Sequence, residues 1–401
     1  MAPMDTEDTV TIGQRLRRIR KARGKSLRVL ADLTGGVVSF GTLSDIENGK
    51  APLDSLRVVT ALAQALEIAP SELTRLPIPA PANGETDAAV DAVRGALMAV
   101  NHRRSGGLVL PVTTVRERVN ALVAAGCLGE QERVGRDLPG LIADLHTSMA
   151  AGRDVAELLE LAVLLHTQAT IAWLRFAGAP VDLREQAATL ARQAAEQRDT
   201  PAALGLAAAG AVRVMLSSGA FALAQAELDS VTVPTTTPES TQLAGMLALY
   251  ESEVAAADAR PADVDAALQH AVELAERTGE GNAYWIGFGP TNTGICRVSV
   301  ALEVGDHDRA VSIAQSLNPA AHANPSRRAA HWVYYGRAAA RLRDHRGAAV
   351  RAFLTAEEIL PHRVRRDPFA RQAIAGLVAR SPQGRVGEEL RGLAWRADLP
   401  V

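Results

Sequence analysis

Apolar positions in this chain recur at helical spacing almost throughout. Between Ser26 and Lys50 (SLRVLADLTGGVVSFGTLSDIENGK), Leu27, Leu30 and Ala31 fall at i, i+3 and i+4 and form one apolar stripe. Ala31 is small enough for a second helix to cross close by. Gly35 follows the last periodic residue, where a left-handed conformation ends a helix without a Cβ clash. Ser39 then serves as the N-cap of a second helix, with Leu43 and Ile46 facing inward at i, i+3 and Glu47-Asn48-Gly49-Lys50 as its end. An amphipathic helix from Leu53 to Leu66 follows, and after it the stretch Ile68-Ala-Pro-Ser-Glu-Leu.

Pro77, Pro79 and Pro81 interrupt this pattern, because they lack amide protons and push their predecessors to extended conformations, so residues 77–84 read as a linker. From Glu85 onward the chain reads as helices separated by short Gly, Pro and Asp stretches, and Val231-Thr-Val is too short for a strand. The breaks recur: those beginning at Gly219, Pro261, Gly305 and Arg343 each follow one apolar helix and precede another, and they are 42, 44 and 38 residues apart. A period near 40, longer than the regular tetratricopeptide repeat of about 34, predicts a tetratricopeptide-like α-solenoid with degenerate repeats; an unrelated helical array is the alternative. The fold class expected is all-α, in four parts: an acidic tail (1–10), a five-helix domain (11–76), the linker (77–84) and the helical array (85–395).

The Ala31/Gly35 turn, the Glu-Asn-Gly-Lys ending and the two segments after it resemble the helix-turn-helix of the phage-repressor-like (Cro/C1 or XRE) family, over about Ile12 to Leu76. The resemblance implies that the second helix lies in the major groove of double-stranded DNA. Matched residue by residue, the base-facing positions are Phe40, Gly41, Thr42 and Asp45. They depart from the Gln, Lys, Arg or Ser usual in the family. Asp45 suits the cytosine amino group, Phe40 and the Thr42 methyl suit a thymine methyl, and no arginine reads guanine. Two extra residues near Gly36 and Val37 put the angle of the reading helix in question.

Charge adds the affinity. Eight basic residues (Arg15, Arg17, Arg18, Arg20, Lys21, Arg23, Lys25 and Arg28) crowd into fourteen positions with no carboxylate among them. Beside a helix-turn-helix, Arg15, Arg17, Arg18, Arg20, Lys21 and Arg28 read as phosphate contacts, joined by Ser39, Asn48 and Lys50. Residues 11–76 hold 11 basic and 6 acidic side chains, a net +5, whereas the whole chain is −2.

Around Glu280 the run GEGNAYWIGFGPTNTGICRVSVALEVGDHDRAVSIAQSL, followed by PSRRAAHWVYYGRAAARLR and AEEILPHRVRRDPFARQ, resembles actinobacterial XRE-type regulators carrying tetratricopeptide-like domains. That resemblance implies transcriptional control and supplies no ligand. The expectation built on it is a homodimer on an inverted-repeat operator, with a helical domain that senses a peptide, a small metabolite or a protein. In tetratricopeptide arrays the first helix of each hairpin lines the concave face. Asn292, Cys296 and Ser299 at i, i+4, i+7, with Tyr334 and Arg337 in the next hairpin and Trp285 and Phe288 before them, are the candidate groove.

Other chemistry is not expected. Gly287-Phe-Gly289-Pro-Thr-Asn-Thr-Gly294 lacks the spacing and context of a phosphate loop, with Pro290 instead starting a helix. The nine histidines form no zinc pattern and no G-x-S-x-G elbow occurs, so neither a metal, a cofactor nor an enzyme is expected. Hydrophobic residues make up 47% but aromatic ones 3%, which leaves mainly Ala, Leu and Val and favours helices. Cys127 and Cys296 alone provide no disulfide framework and fit a reducing cytoplasm, and the acidic start lacks a signal-peptide pattern. The apolar stretch Leu158 to Ala177 contains Glu160, His166, Gln168 and Arg175 and reads as a buried helix rather than a membrane span. A competing reading is an interaction scaffold whose helix-turn-helix is vestigial or merely localises it.

Overall fold

The computed structural model describes residues 12–74, 84–380, 385–397 and 399, and every regular element among them is helical. The acidic tail and the linker lie outside the described residues, except for Gly84, which begins the helix Gly84–Asn101. The chain is all-α, with an N-terminal five-helix domain followed by an array of helical hairpins. It forms two compact units, one of Met1–Ile78, Gly294–Pro319 and Ser326–Val401, the other of Pro79–Thr293 and Ala320–Pro325.

The first unit opens with α1 (Ile12–Ala22), α2 (Leu27–Leu33), α3 (Phe40–Glu47), α4 (Leu56–Leu66) and α5 (Pro70–Thr74). Serines start three of them: Ser26 accepts from Val29 N, Ser39 from Thr42 N and Ser55 from Val58 N. The α4 helix therefore starts after Ser55 rather than at Leu53, because Ser55 is extended (φ −116°, ψ 133°) to reach its capping position. Leu16, Leu30, Leu43, Leu53, Leu62 and Leu66 close the core of the five helices. At Gly13 α1 crosses α3 so closely that a Cβ would come 2.1 Å from the Ile46 carbonyl oxygen, which only glycine permits.

The C-terminal helices of this unit, among them His307–Ser316, Arg346–Ile359, Pro368–Val378 and Arg385–Arg396, pack around Val298, Val333, Phe353, Ile374 and Leu393. Phe369 leaves that cluster and joins the core of the five N-terminal helices. The five N-terminal helices and the last hairpins are thus one body, although more than 200 residues separate them in sequence.

In the second unit long helices pair: Val181–Arg198 runs along Pro201–Ser218, and Pro238–Ala257 along Pro261–Thr278. All four breaks read from the sequence are turns between helices. Gly219 and Gly305 are left-handed (φ 77° and 81°), Pro261 is a first-turn proline, and Arg343–His345 is a short 3-10 turn. Within Val155–Ala177 one π turn, Leu165–Thr170, brings the buried His166 Nε2 to 2.9 Å from His146 Nε2. Val155–Ala177 and Pro201–Ser218 are long and apolar enough to cross a membrane, but 61% and 67% of their apolar windows are covered by neighbouring helices.

Candidate nucleic-acid interface

The turn between α2 and α3 accommodates its extra residues through two successive left-handed glycines, Gly35 (φ 62°) and Gly36 (φ 85°). Thr34 braces it: its hydroxyl donates to Ala31 O at 2.7 Å and accepts from Val38 N at 3.2 Å. Val38 then plugs the core, 2% exposed, and fixes where α3 begins. Ser39 Oγ caps Thr42 N at 3.1 Å and lies 2.9 Å from Thr42 Oγ1, so the two hydroxyls order the first turn together.

On α3 the inward side carries Leu43, Ile46 and Glu47, while Phe40, Gly41, Thr42 and Asp45 are exposed. The Phe40 ring is left 53% exposed at the first position of the helix that also carries the Thr42 hydroxyl and the Asp45 carboxylate, and Val29 and Leu33 of α2 are exposed as well. Such a surface suits methyl and amino edges in a major groove.

The basic run divides into two groups. Arg17, Arg18, Lys21 and Arg28 are exposed, as is Lys50 after α3. Arg15 and Arg20 correct the expectation of a continuous phosphate clamp. Arg20 is buried and grips Glu47 in a two-pronged ion pair, 2.6 and 2.7 Å, while its third nitrogen donates to Lys25 O at 2.8 Å. The hydrogen bond to Glu47 raises its already high pKa further. Arg15 is buried and donates to Leu73 O at 2.9 Å, tying α1 to α5. Both arginines hold the domain together from within. Asn48 is exposed, but its amide donates back to Ser44 O at 2.8 Å and closes α3.

The start of α4 is held by residues far along the chain. The Glu303 carboxylate accepts from Ser55 Oγ (2.8 Å), Leu56 N (3.0 Å) and Arg57 N (2.8 Å), satisfying the free amides of the first turn. Arg337 donates to Asp54 O at 2.7 Å, and Arg341 Nε lies 3.4 Å from Asp54 Oδ2. The sequence gives no sign of these contacts, since residues 246 or more positions apart leave no local periodic trace.

The candidate groove does not present the side chains expected of it. In the second unit Phe288 is fully buried over Gly245, where a Cβ would touch its ring. Asn292 is also fully buried, with only the Met246 sulfur near its amide nitrogen, and Trp285 donates to Asn120 Oδ1 at 3.1 Å. In the first unit Cys296 is buried and Ser299 and Tyr334 are half-buried. Arg337 is bound to Asp54 and lies 4.8 Å over the Phe369 ring and 5.8 Å from that of Tyr334. The spacing of these residues marked core positions, because the apolar and polar stripes of a doubly packed helix are both covered.

Residues 11–76 match a family described as a helix-turn-helix domain. No curated protein and no solved structure matches the chain. The chain therefore carries a helix-turn-helix domain, and that domain supports a DNA-binding regulator.

Proposed function

We propose that this protein is a sequence-specific transcriptional regulator of the XRE type, acting in the cytoplasm at the nucleoid as a homodimer, with its tetratricopeptide-like hairpins as the dimerising and signal-sensing part. One observation carries the reading: α3 exposes Phe40, Gly41, Thr42 and Asp45 opposite a buried Leu43 and Ile46, on a domain whose Arg17, Lys21, Arg28 and Lys50 are free of the core. A two-fold dimer sets two such helices about 34–36 Å apart on one duplex face, so the operator is an inverted repeat. The Glu303 cap on α4 supports a route for a signal, since any ligand that moves the helix ending at Glu303 also moves an anchor of the reader. Its effector is a peptide, a small metabolite or a protein; no catalysis or cofactor enters the scheme.

Genome-wide footprinting of tagged full-length protein, combined with light scattering, tests it. Discrete palindromic sites and a dimer mass are expected. The exposed Val29, Leu33 and Phe40 favour one rival, an interaction scaffold that uses these apolar side chains for a protein partner. Absence of discrete sites in the footprint, with retained fold, would favour that rival.

A further inference from the structure

We infer that the C-terminal hairpins of the first unit form a second DNA-phosphate surface, centred on Arg343, Arg346 and Arg380, that extends the footprint beyond the helix-turn-helix. The inference rests on the DNA-binding reading above. Residues 326–401 carry 15 arginines, no lysine and 7 acids, a net +8, which exceeds the +5 of residues 11–76. Arginine in place of lysine suits the planar, two-pronged recognition of phosphate.

Arg343, Arg346 and Arg380 are exposed, and among the described residues no carboxylate pairs with any of them. Instead Arg346 donates to the Arg380 carbonyl (3.4 Å) and Arg380 to the carbonyls of Gly376 (2.8 Å) and Ala340 (3.5 Å). This brings Arg346 and Arg380 together, with Arg343 three residues before Arg346 in the turn that leads into its helix. Burial, then the neighbouring Arg346 and Arg341, lower the pKa of Arg380, so the cluster is held against its own repulsion. Arg341, beside the cluster, pairs with Asp54, and the exposed Asp344 is the one acid between Arg343 and Arg346 in sequence.

Placement ties the cluster to DNA. Asp54 lies four residues after Lys50, a span of at most about 14 Å, and Arg341 touches Asp54 at 3.4 Å. Arg341, two residues before Arg343, therefore joins the cluster to the segment that links α3 to α4. Each phosphate contact adds about 0.9 to the slope of log K against log salt.

The test compares wild type with the triple variant Arg343→Ala/Arg346→Ala/Arg380→Ala on one operator fragment across 50–300 mM salt. Thermal unfolding serves as the check on fold. We expect the slope to fall by about 2 to 3 and affinity at low salt to drop about tenfold or more. Lysine at all three positions should restore most of the slope. Wild type that binds no DNA would overturn the regulator reading itself. Wild type that binds while the triple variant keeps its slope would overturn this inference alone and leave an acidic protein surface as the occupant of the cluster.

Discussion

The two compact units differ most in charge. The first holds 28 basic and 19 acidic side chains, a net +9, and the second 15 and 26, a net −11. Their near-cancellation is why the chain as a whole is only −2. The lesson concerns bookkeeping by chain order, which sets one basic module at the N-terminus against everything after it. Folding returns the arginine-rich C-terminal helices to the module, through Phe369 in its core and Glu303, Arg337 and Arg341 on its fourth helix. The charge of the first unit is thus the one suited to a nucleic acid, as the proposed function requires.

The contrast depends on distinguishing the structural arginines of the basic unit from those free to meet phosphate, and the largest effect expected is on that point. Arg20→Ala leaves Glu47 buried and unpaired, which should destabilise the first unit by about 3–5 kcal/mol. Arg17→Ala should change stability by no more than about 0.5 kcal/mol while weakening DNA binding. Calorimetric unfolding of both variants decides it. Equal stabilities would mean that the Arg20 ion pair is not what holds α1 to α3.

Both units hold histidines whose pKa burial lowers, His331 and His362 in the first, and in the acidic unit they form a pair. Burial lowers the pKa of His146 to about 4 and that of its partner His166 well below the ordinary value, so the folded pair refuses protons that the unfolded chain accepts below about pH 6.5. Stability should be full above pH 7 and decline as pH falls toward 4. His146 alone contributes about 2 kcal/mol of loss by pH 5. Urea titrations at pH 7.5 and 5 check this. His146→Gln should shrink the difference between the two pH values, and an unchanged difference would place the acid sensitivity elsewhere.

Next in size is the Glu303 cap. Glu303→Ala removes a charged acceptor from three donors at the start of α4 and should cost about 1–2 kcal/mol, with faster amide exchange at Leu56 and Arg57. If exchange there were unchanged, α4 would not depend on the C-terminal helices for its anchorage.

How much of this was legible in the sequence follows from the range of each interaction. Helix periodicity, serine caps and glycine stops act over a few residues, so α2, the turn at Gly35 and α3 could be read directly, as could the breaks at Gly219, Pro261 and Gly305. The basic run was legible as charge but not as role. Arg15 and Arg20 fall on the buried side of α1, and their partners, Leu73 and Glu47, lie 58 and 27 residues away. The candidate groove failed for a related reason. Asn292 and Arg337 have the spacing of a polar stripe, yet both sit where a helix is packed on two sides, and Arg337 is needed at Asp54. The C-terminal surplus of arginine was countable throughout, but only the fold gives it a place beside the reader.

The smallest effect expected bears on what the basic unit reads. Phe40 is 53% exposed at the start of α3, and it shares that helix with Thr42, whose hydroxyl is engaged by Ser39 and whose methyl is therefore the group left to meet a base. Under the proposed function, two apolar contacts and one carboxylate, Asp45, are the groups to meet thymine methyls and cytosine amino groups, with no guanine-directed arginine among them. Phe40→Ala removes contact area rather than charge. It should cost about 1 kcal/mol, roughly fivefold in affinity, on operators with thymine at the contacted step, and much less on variants lacking it. The salt slope should not move, because no phosphate contact is lost. Fluorescence anisotropy on a small panel of substituted operators reads both quantities. A loss shared equally by every operator would put the Phe40 ring against the sugar backbone, and no loss on any of them would turn the exposed Val29, Leu33 and Phe40 toward a protein instead.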